Sequence, residues 1–130
     1  MIVDSSVIIA VLRDEADAGA ISEALQEAST CRISAVTYVE SAIVTDSNRN
    51  PVLSRRFDDL LRDLSMRVEG VTLRQAEIAR QAYRDFGKGR HKAGLNFGDC
   101  FAYALAKDLD EPLLFKGDDF RHTDVEIADF

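Results

Sequence analysis

The chain has 130 residues, within the usual span of one domain and long enough to bury about two thirds of its unfolded surface. Apolar residues at 46% and charged residues at 30% exclude a disordered or collagenous chain, and a formal charge of -7 excludes a general electrostatic binder of nucleic acid, which would carry surplus Lys and Arg. The longest apolar run, Val7 to Leu12, has six residues against the roughly 20 that a bilayer span requires, and the start lacks the features of a signal peptide, so a cytoplasmic protein is expected.

Ile2 and Val3 form a very short apolar entry that ends at Asp4, and Ser5-Ser6 leads into the apolar run Val7 to Leu12: strand, then buried helix. A polar helix is predicted from Glu15 to Ala28, a second strand over Cys31 to Ser34, and a third helix starting near Val36. Asn50-Pro51 begins another helix, in which Phe57, Leu60, Leu61 and Leu64 recur at the spacing of one helical face. Arg67 to Val71 reads as a weak strand. Thr72 then caps a helix carrying Ala79, Ala82, Tyr83 and Phe86 on one face, and Gly87 stops it.

A glycine-rich basic loop follows, and Gly98-Asp99 opens a helix that runs to Leu109. Pro112 to Phe115 is a strand, Gly117 to Asp119 a turn, and Val125 to Ile127 an edge strand. Short apolar strands alternating with helices imply a parallel sheet covered on both faces, an α/β fold in a single domain over residues 1–130. Cys31 and Cys100 belong to no C-x-x-C pair, so two reduced, buried thiols are expected. Arg84, Lys88, Arg90, His91 and Lys92 make a basic patch that reads equally as an RNA contact and as a solvated loop.

Of the 23 acidic residues, most lie on polar helix faces, but a few stand where ligands collect. Asp4 ends the first strand at the carboxyl edge of a parallel sheet, a position that suits a ligand or a helix N-cap. Glu40 has Val36, Ile43 and Val44 as its helical neighbours, so a carboxylate sits within an apolar stripe. Burying it unpaired costs several kcal/mol, and it requires a cation, a proton or a set of donors. Asp99 lies in the first turn of its helix, where the dipole favours negative charge, and Asp118 and Asp119 follow the last strong strand.

Brought to one edge, two carboxylates about 4 Å apart repel by roughly 4 kcal/mol at an effective dielectric of about 20. Oxygen-ligating Mg2+ or Mn2+ resolves that conflict, whereas zinc would want nitrogen or sulfur. A pair of such ions would acidify an attacking water and neutralise the leaving oxygen, which is hydrolytic phosphoryl transfer.

The segments Ile2-Val3-Asp4-Ser5-Ser6, Tyr38-Val39-Glu40, Tyr83-Arg84-Asp85-Phe86-Gly87-Lys88-Gly89, Leu95-Asn96-Phe97-Gly98-Asp99-Cys100 and Leu113-Leu114-Phe115-Lys116-Gly117-Asp118-Asp119-Phe120, in that order and spacing, resemble a PIN-domain protein and specifically the VapC toxins of bacterial toxin-antitoxin systems. The resemblance implies a PIN-like three-layer α/β/α fold and a Mg2+- or Mn2+-dependent endoribonuclease. Asp4, Glu40 and Asp99 match the family's metal-binding acids. The fourth acid falls within Asp118-Asp119, and Asp119 is preferred because Phe120 anchors its neighbour in the core. Ser5-Ser6 stands where the family often has Thr-Ser, and Asn96 and Lys116 are open between substrate-orienting and turn-forming roles. The resemblance further implies a homodimer and a cognate VapB-like antitoxin, whose C-terminal segment covers the active site while its N-terminal part binds DNA.

Two enzyme folds with an early aspartate fit less well. A haloacid-dehalogenase-like phosphatase needs a second aspartate where this chain has Ser6, and a response-regulator receiver needs paired early acids and a phosphoacceptor ending a central strand. The alternative of another class is a non-catalytic PIN-like module that binds protein or RNA with its metal site idle.

Overall fold

The computed structural model describes residues 1–130. Strand β1 (Ile2–Val3) is followed by α1 (Ser5–Leu12), α2 (Ala18–Glu27), β2 (Arg32–Ser34), α3 (Ala35–Asp46), α4 (Pro51–Asp63), β3 (Arg67–Glu69), α5 (Leu73–Phe86), α6 (Phe97–Leu109) and β4 (Leu113–Leu114), with a 3-10 turn over Asp119–His122. The four strands form one sheet in the order β3-β2-β1-β4, and every pair is parallel.

Alternation along these short strands sorts the core into two halves. Ile2 and Leu113, which pair across β1 and β4, face a cluster built with Ala79, Ala82, Leu105 and their neighbours on α5 and α6. Val3 and Leu114, the next pair, face the opposite cluster with Ile33, Ile8, Ile21 and Phe57 from α1, α2 and α4. Ile2, Val3, Leu113 and Leu114 are fully buried, each stabilising the fold by about 1.5–3 kcal/mol through lost apolar surface. The result is helices on both faces of a parallel sheet, and the carboxyl ends of β1, β2 and β4 line up along one edge.

Several predicted boundaries shift for local reasons. The helix expected from Glu15 starts at Ala18, because Glu15 and Asp17 turn out of it to grip the Lys116 ammonium. β3 stops at Glu69 instead of Val71, and β4 keeps only Leu113 and Leu114. The expected edge strand Val125 to Ile127 contributes a single parallel bridge, Leu113 to Ile127, flanked by Leu113 N–H donating to the Glu126 carbonyl at 2.9 Å. Both cysteines are free and buried, as expected. No helix is long and apolar enough to cross a membrane.

Candidate active site

Asp4, the first of the candidate acids, is held by a capping role. It is the N-cap of α1, and its Oδ2 accepts hydrogen bonds from the Ser6 backbone N–H at 3.0 Å and the Ser6 hydroxyl at 2.6 Å. The other oxygen, Oδ1, is buried with no hydrogen-bond partner, in a residue only 3% exposed. Burial pushes this carboxyl above its usual range; the Ser6 donors oppose the shift and the charge of Glu40 adds to it. The Ser6 hydroxyl also accepts from the Lys116 backbone N–H at 3.0 Å, tying the end of β4 to Asp4.

Asp99 sits in a reciprocal capping box that starts α6. Asn96 Oδ1 accepts from the Asp99 N–H at 2.9 Å while the Asp99 carboxylate accepts from the Asn96 N–H at 3.0 Å. The helix therefore begins at Phe97, one residue before the predicted Gly98. Burial pushes the Asp99 carboxyl up to about 7, the Asn96 N–H holds it back, and the charges of Asp4, Asp119 and Glu40 each raise it further. Four of the five acids singled out in the sequence thus act on one another. Asp118 is not among them.

Glu40 arrives differently from expectation. The apolar stripe around it does not face the core: α3 buries Thr37, Ser41 and Thr45, and leaves Val39 50% and Ile43 63% exposed. This inversion is eased because Ser41 donates to the Thr37 carbonyl at 2.9 Å and Thr45 to the Ser41 carbonyl at 2.8 Å, so two of the three buried hydroxyls are satisfied within their own helix, while Thr37 Oγ1 has no partner. Glu40 is half-buried, and its Oε1 is enclosed without a hydrogen-bond partner. Its carboxylate lies against the backbone of Gly98, where a Cβ would come within 2.0 Å of Oε2. The sequence reading missed Gly98; its only signal was a glycine in the first turn of a helix.

Asp119 opens the 3-10 turn, and the following Phe120 is buried against Phe115 with ring centroids 5.1 Å apart. Asp118 points to solvent with 88% of its side chain exposed, opposite Arg121 at 4.0 Å. Asn96 is a structural cap. Lys116 bonds Glu15 and, at 2.9 Å, Asp17, so its charge is spent on the α1–α2 connection. In the basic patch His91 is structural, its Nδ1 accepting from the Ala93 N–H at 3.0 Å and its ring edge-on to Phe86.

The carboxylates share a field without converging, since no three His, Cys, Asp or Glu side chains stand in joint ligating reach. Asp4 Oδ1 and Glu40 Oε1 are nonetheless buried oxygens lacking a positive or donating partner, and every donor in the group is a hard oxygen. That chemistry fits Mg2+ or Mn2+ and not zinc.

The PIN domain family model matches residues 1–126. Ribonuclease VapC28 of Mycobacterium tuberculosis is 58% identical over 129 residues, covering 98% of this chain and 97% of that protein. A toxin-antitoxin complex from Klebsiella pneumoniae contains a chain of similar structure, with a TM-score of 0.75 at 16% identity over 98% of this chain and 95% of that one. Mycobacterium tuberculosis VapC20, a sarcin-ricin loop cleaving toxin, gives a TM-score of 0.75 at 17% identity over 98% and 97%. At those identities the two structures speak to the fold alone.

Proposed function

The chain belongs to the PIN-domain family and, within it, to the VapC ribonucleases, and from that membership we propose the chemistry its own residues perform. It is the endoribonuclease toxin of a toxin-antitoxin system. The finer reading is that Asp4, Glu40, Asp99 and Asp119 hold Mg2+ or Mn2+ at the carboxyl edge of the sheet, and that RNA phosphodiester bonds are hydrolysed there. The observation that carries it is the pair of buried, partnerless oxygens, Asp4 Oδ1 and Glu40 Oε1. A bound divalent ion supplies an acidified water and charge compensation at the scissile phosphate.

The chain's part is preorganisation. Ser6 fixes one oxygen of Asp4 and leaves the other free, and the Asn96 N–H does the same for Asp99. Two ligands are thereby oriented by folding, before any ion arrives. Burial of both keeps competing water away and strengthens their hold on a cation.

Lys116 is already committed to Glu15 and Asp17, so no cation of this chain neutralises the acid group. That supports an antitoxin partner whose Arg or Lys enters the site by charge-assisted hydrogen bonds. The Klebsiella structure is likewise a toxin-antitoxin complex. The outward stripe Val36, Val39, Ile43 and Val44 supports a homodimer seated on this face, and Ile43→Asp should convert it to a monomer in sedimentation.

The decisive experiment is cleavage of total RNA by purified protein. Activity should require Mn2+ or Mg2+, vanish in EDTA, and be lost in Glu40→Gln with the melting temperature retained. Undiminished cleavage in excess chelator overturns the metal reading, and absence of both cleavage and metal binding returns the chain to a non-catalytic binding module.

A further inference from the structure

Beside the acid group, α5 and α6 enclose an open cleft of about 480 Å³ whose polar lining is entirely arginine: Arg80, Arg84 and Arg90. Arg80, Tyr83 and Arg84 stand at i, i+3 and i+4 on α5 and so share one face. None of the three arginines belongs to an ion pair, although the chain carries 23 acids and a net charge of -7. The nearby acid Asp85 accepts from Gln81 instead, at 3.0 Å. In so acidic a protein, three unpaired arginines in one concavity form a local anion-attracting field.

Three aromatic rings line the same cleft, Tyr83, Phe97 and Phe101, and the first two are exposed. Tyr83 is 42% exposed and carries the Arg90 guanidinium over its ring at 5.5 Å, and Phe97 is 73% exposed. Phe97 is two residues from Asp99, and Cys100, on the cleft wall, is next to it. An aromatic face beside a guanidinium, with a second exposed ring two residues from Asp99, is how single-stranded nucleic acid is held: bases stack and phosphates meet cations. A second copy of the chain fits worse, because a symmetric contact would set these unpaired arginines against their own kind.

We propose that single-stranded RNA lies in the α5–α6 cleft as it reaches the acid group, with Tyr83 and Phe97 stacking bases and Arg80, Arg84 and Arg90 holding phosphates. The proposal rests on the ribonuclease reading above and assigns that site its substrate-binding surface. It also accounts for two members of the basic patch, Arg84 and Arg90, as substrate contacts.

The test is fluorescence anisotropy with a fluorescein-labelled single-stranded RNA of mixed sequence, in a Glu40→Gln background that cuts nothing. Tyr83→Leu should weaken binding by about tenfold while Tyr83→Phe, which keeps the ring, should not. Arg84→Ala should lower the slope of log affinity against log salt by about 0.7, the value for one phosphate contact on a single strand. Mn2+ affinity and sedimentation should be unchanged, and the exposed positions make misfolding visible as a lowered melting temperature, with Tyr83→Phe as the folded control. Wild-type affinity in both Tyr83→Leu and Arg84→Ala overturns the proposal while Mn2+-dependent cleavage by the unmutated chain still stands. Loss of a dimer in Tyr83→Leu also overturns it, because the cleft would then be an interface between copies. RNA binding that depends on Tyr83, when the unmutated chain neither cuts RNA nor binds Mn2+, upholds the cleft and sinks the metal reading.

Discussion

The Glu40 carboxylate occupies the space a side chain at Gly98 would need: a Cβ there would lie 2.0 Å from Oε2 and 2.6 Å from Cδ. Gly98 is therefore a seat for the acid: a glycine in α6 costs up to about 1 kcal/mol in helix propensity and leaves the room that lets Glu40 stand beside Asp99. Because the obstructed group is the end of a flexible side chain, Gly98→Ala should displace Glu40 without unfolding the protein. Cleavage should fall on the order of 10- to 100-fold, as when a residue supporting a ligand is lost. In a Glu40→Gln background, which does not cut, the same change should leave Mn2+ affinity nearly unchanged, and a loss of Mn2+ affinity as large as Gly98→Ala causes in wild type would refute the seat.

Asp119 and Asp118 are adjacent in sequence and unequal in surroundings. Asp119 adds to the field on Asp99, whereas Asp118 is solvent-facing beside Arg121. Asp119→Asn should lower cleavage at least about tenfold across a Mn2+ titration, and Asp118→Asn should stay within about twofold of wild type. Loss in Asp118→Asn alone reverses the assignment.

Asp99→Asn should make the metal-free protein more stable while disabling it. The amide oxygen still accepts from the Asn96 N–H, so the capping box survives, and one buried negative charge among four is removed. An increase of about 1 kcal/mol in metal-free stability is expected, the usual exchange of stability against a strained functional site. Wild type should gain about 1.4 kcal/mol when Mn2+ is at ten times its dissociation constant, and the variant should gain none. A variant less stable than wild type without metal, with an intact Mn2+-induced shift in melting temperature, would remove Asp99 from the site.

Away from the site, Tyr103 donates its hydroxyl to Asp124 at 2.5 Å, and Lys107 reaches the same carboxylate at 3.2 Å. These partners, the tyrosine first, hold the Asp124 carboxyl below its usual range. A carboxyl with a depressed folded pKa contributes stability that is present above the ordinary value near about 3.9 and is lost as pH falls through the folded value. With Asp124 60% exposed, the contribution is no more than about 1 kcal/mol after solvent screening. Tyr103→Phe should therefore lower the urea midpoint at neutral pH, and the gap to wild type should close in acid. A gap that widens in acid would contradict the assignment.

The acids Asp4 and Asp99 were legible because β-strand ends and helix starts gather at one edge of a parallel sheet, and that rule needs only the order of elements. The Glu40 stripe was legible as a pattern but not in its direction. An apolar helical face normally turns inward, and only the self-satisfied hydroxyls of Thr45 and Ser41 let α3 turn the other way. The Gly98 seat depends on two helices meeting at one residue, a tertiary contact with no periodic trace. The Tyr83–Arg90 pair was split by a loop, so its two halves read as a helix face and a basic patch. Strand ends drifted because two- and three-residue strands leave little pattern to measure.

The Ser6 hydroxyl that joins Asp4 to the Lys116 N–H makes the first strand and the last depend on one proton donor and acceptor. Local fraying at the end of β4 would withdraw that hydroxyl's second partner and leave Asp4 held by Ser6 alone, no longer tied to the last strand. The free energy of opening this small segment, and not that of the whole fold, sets how often the tie is broken. Slow amide hydrogen exchange at Lys116 is the signature of an intact tie, and a molecule can lose it there while every helix remains folded.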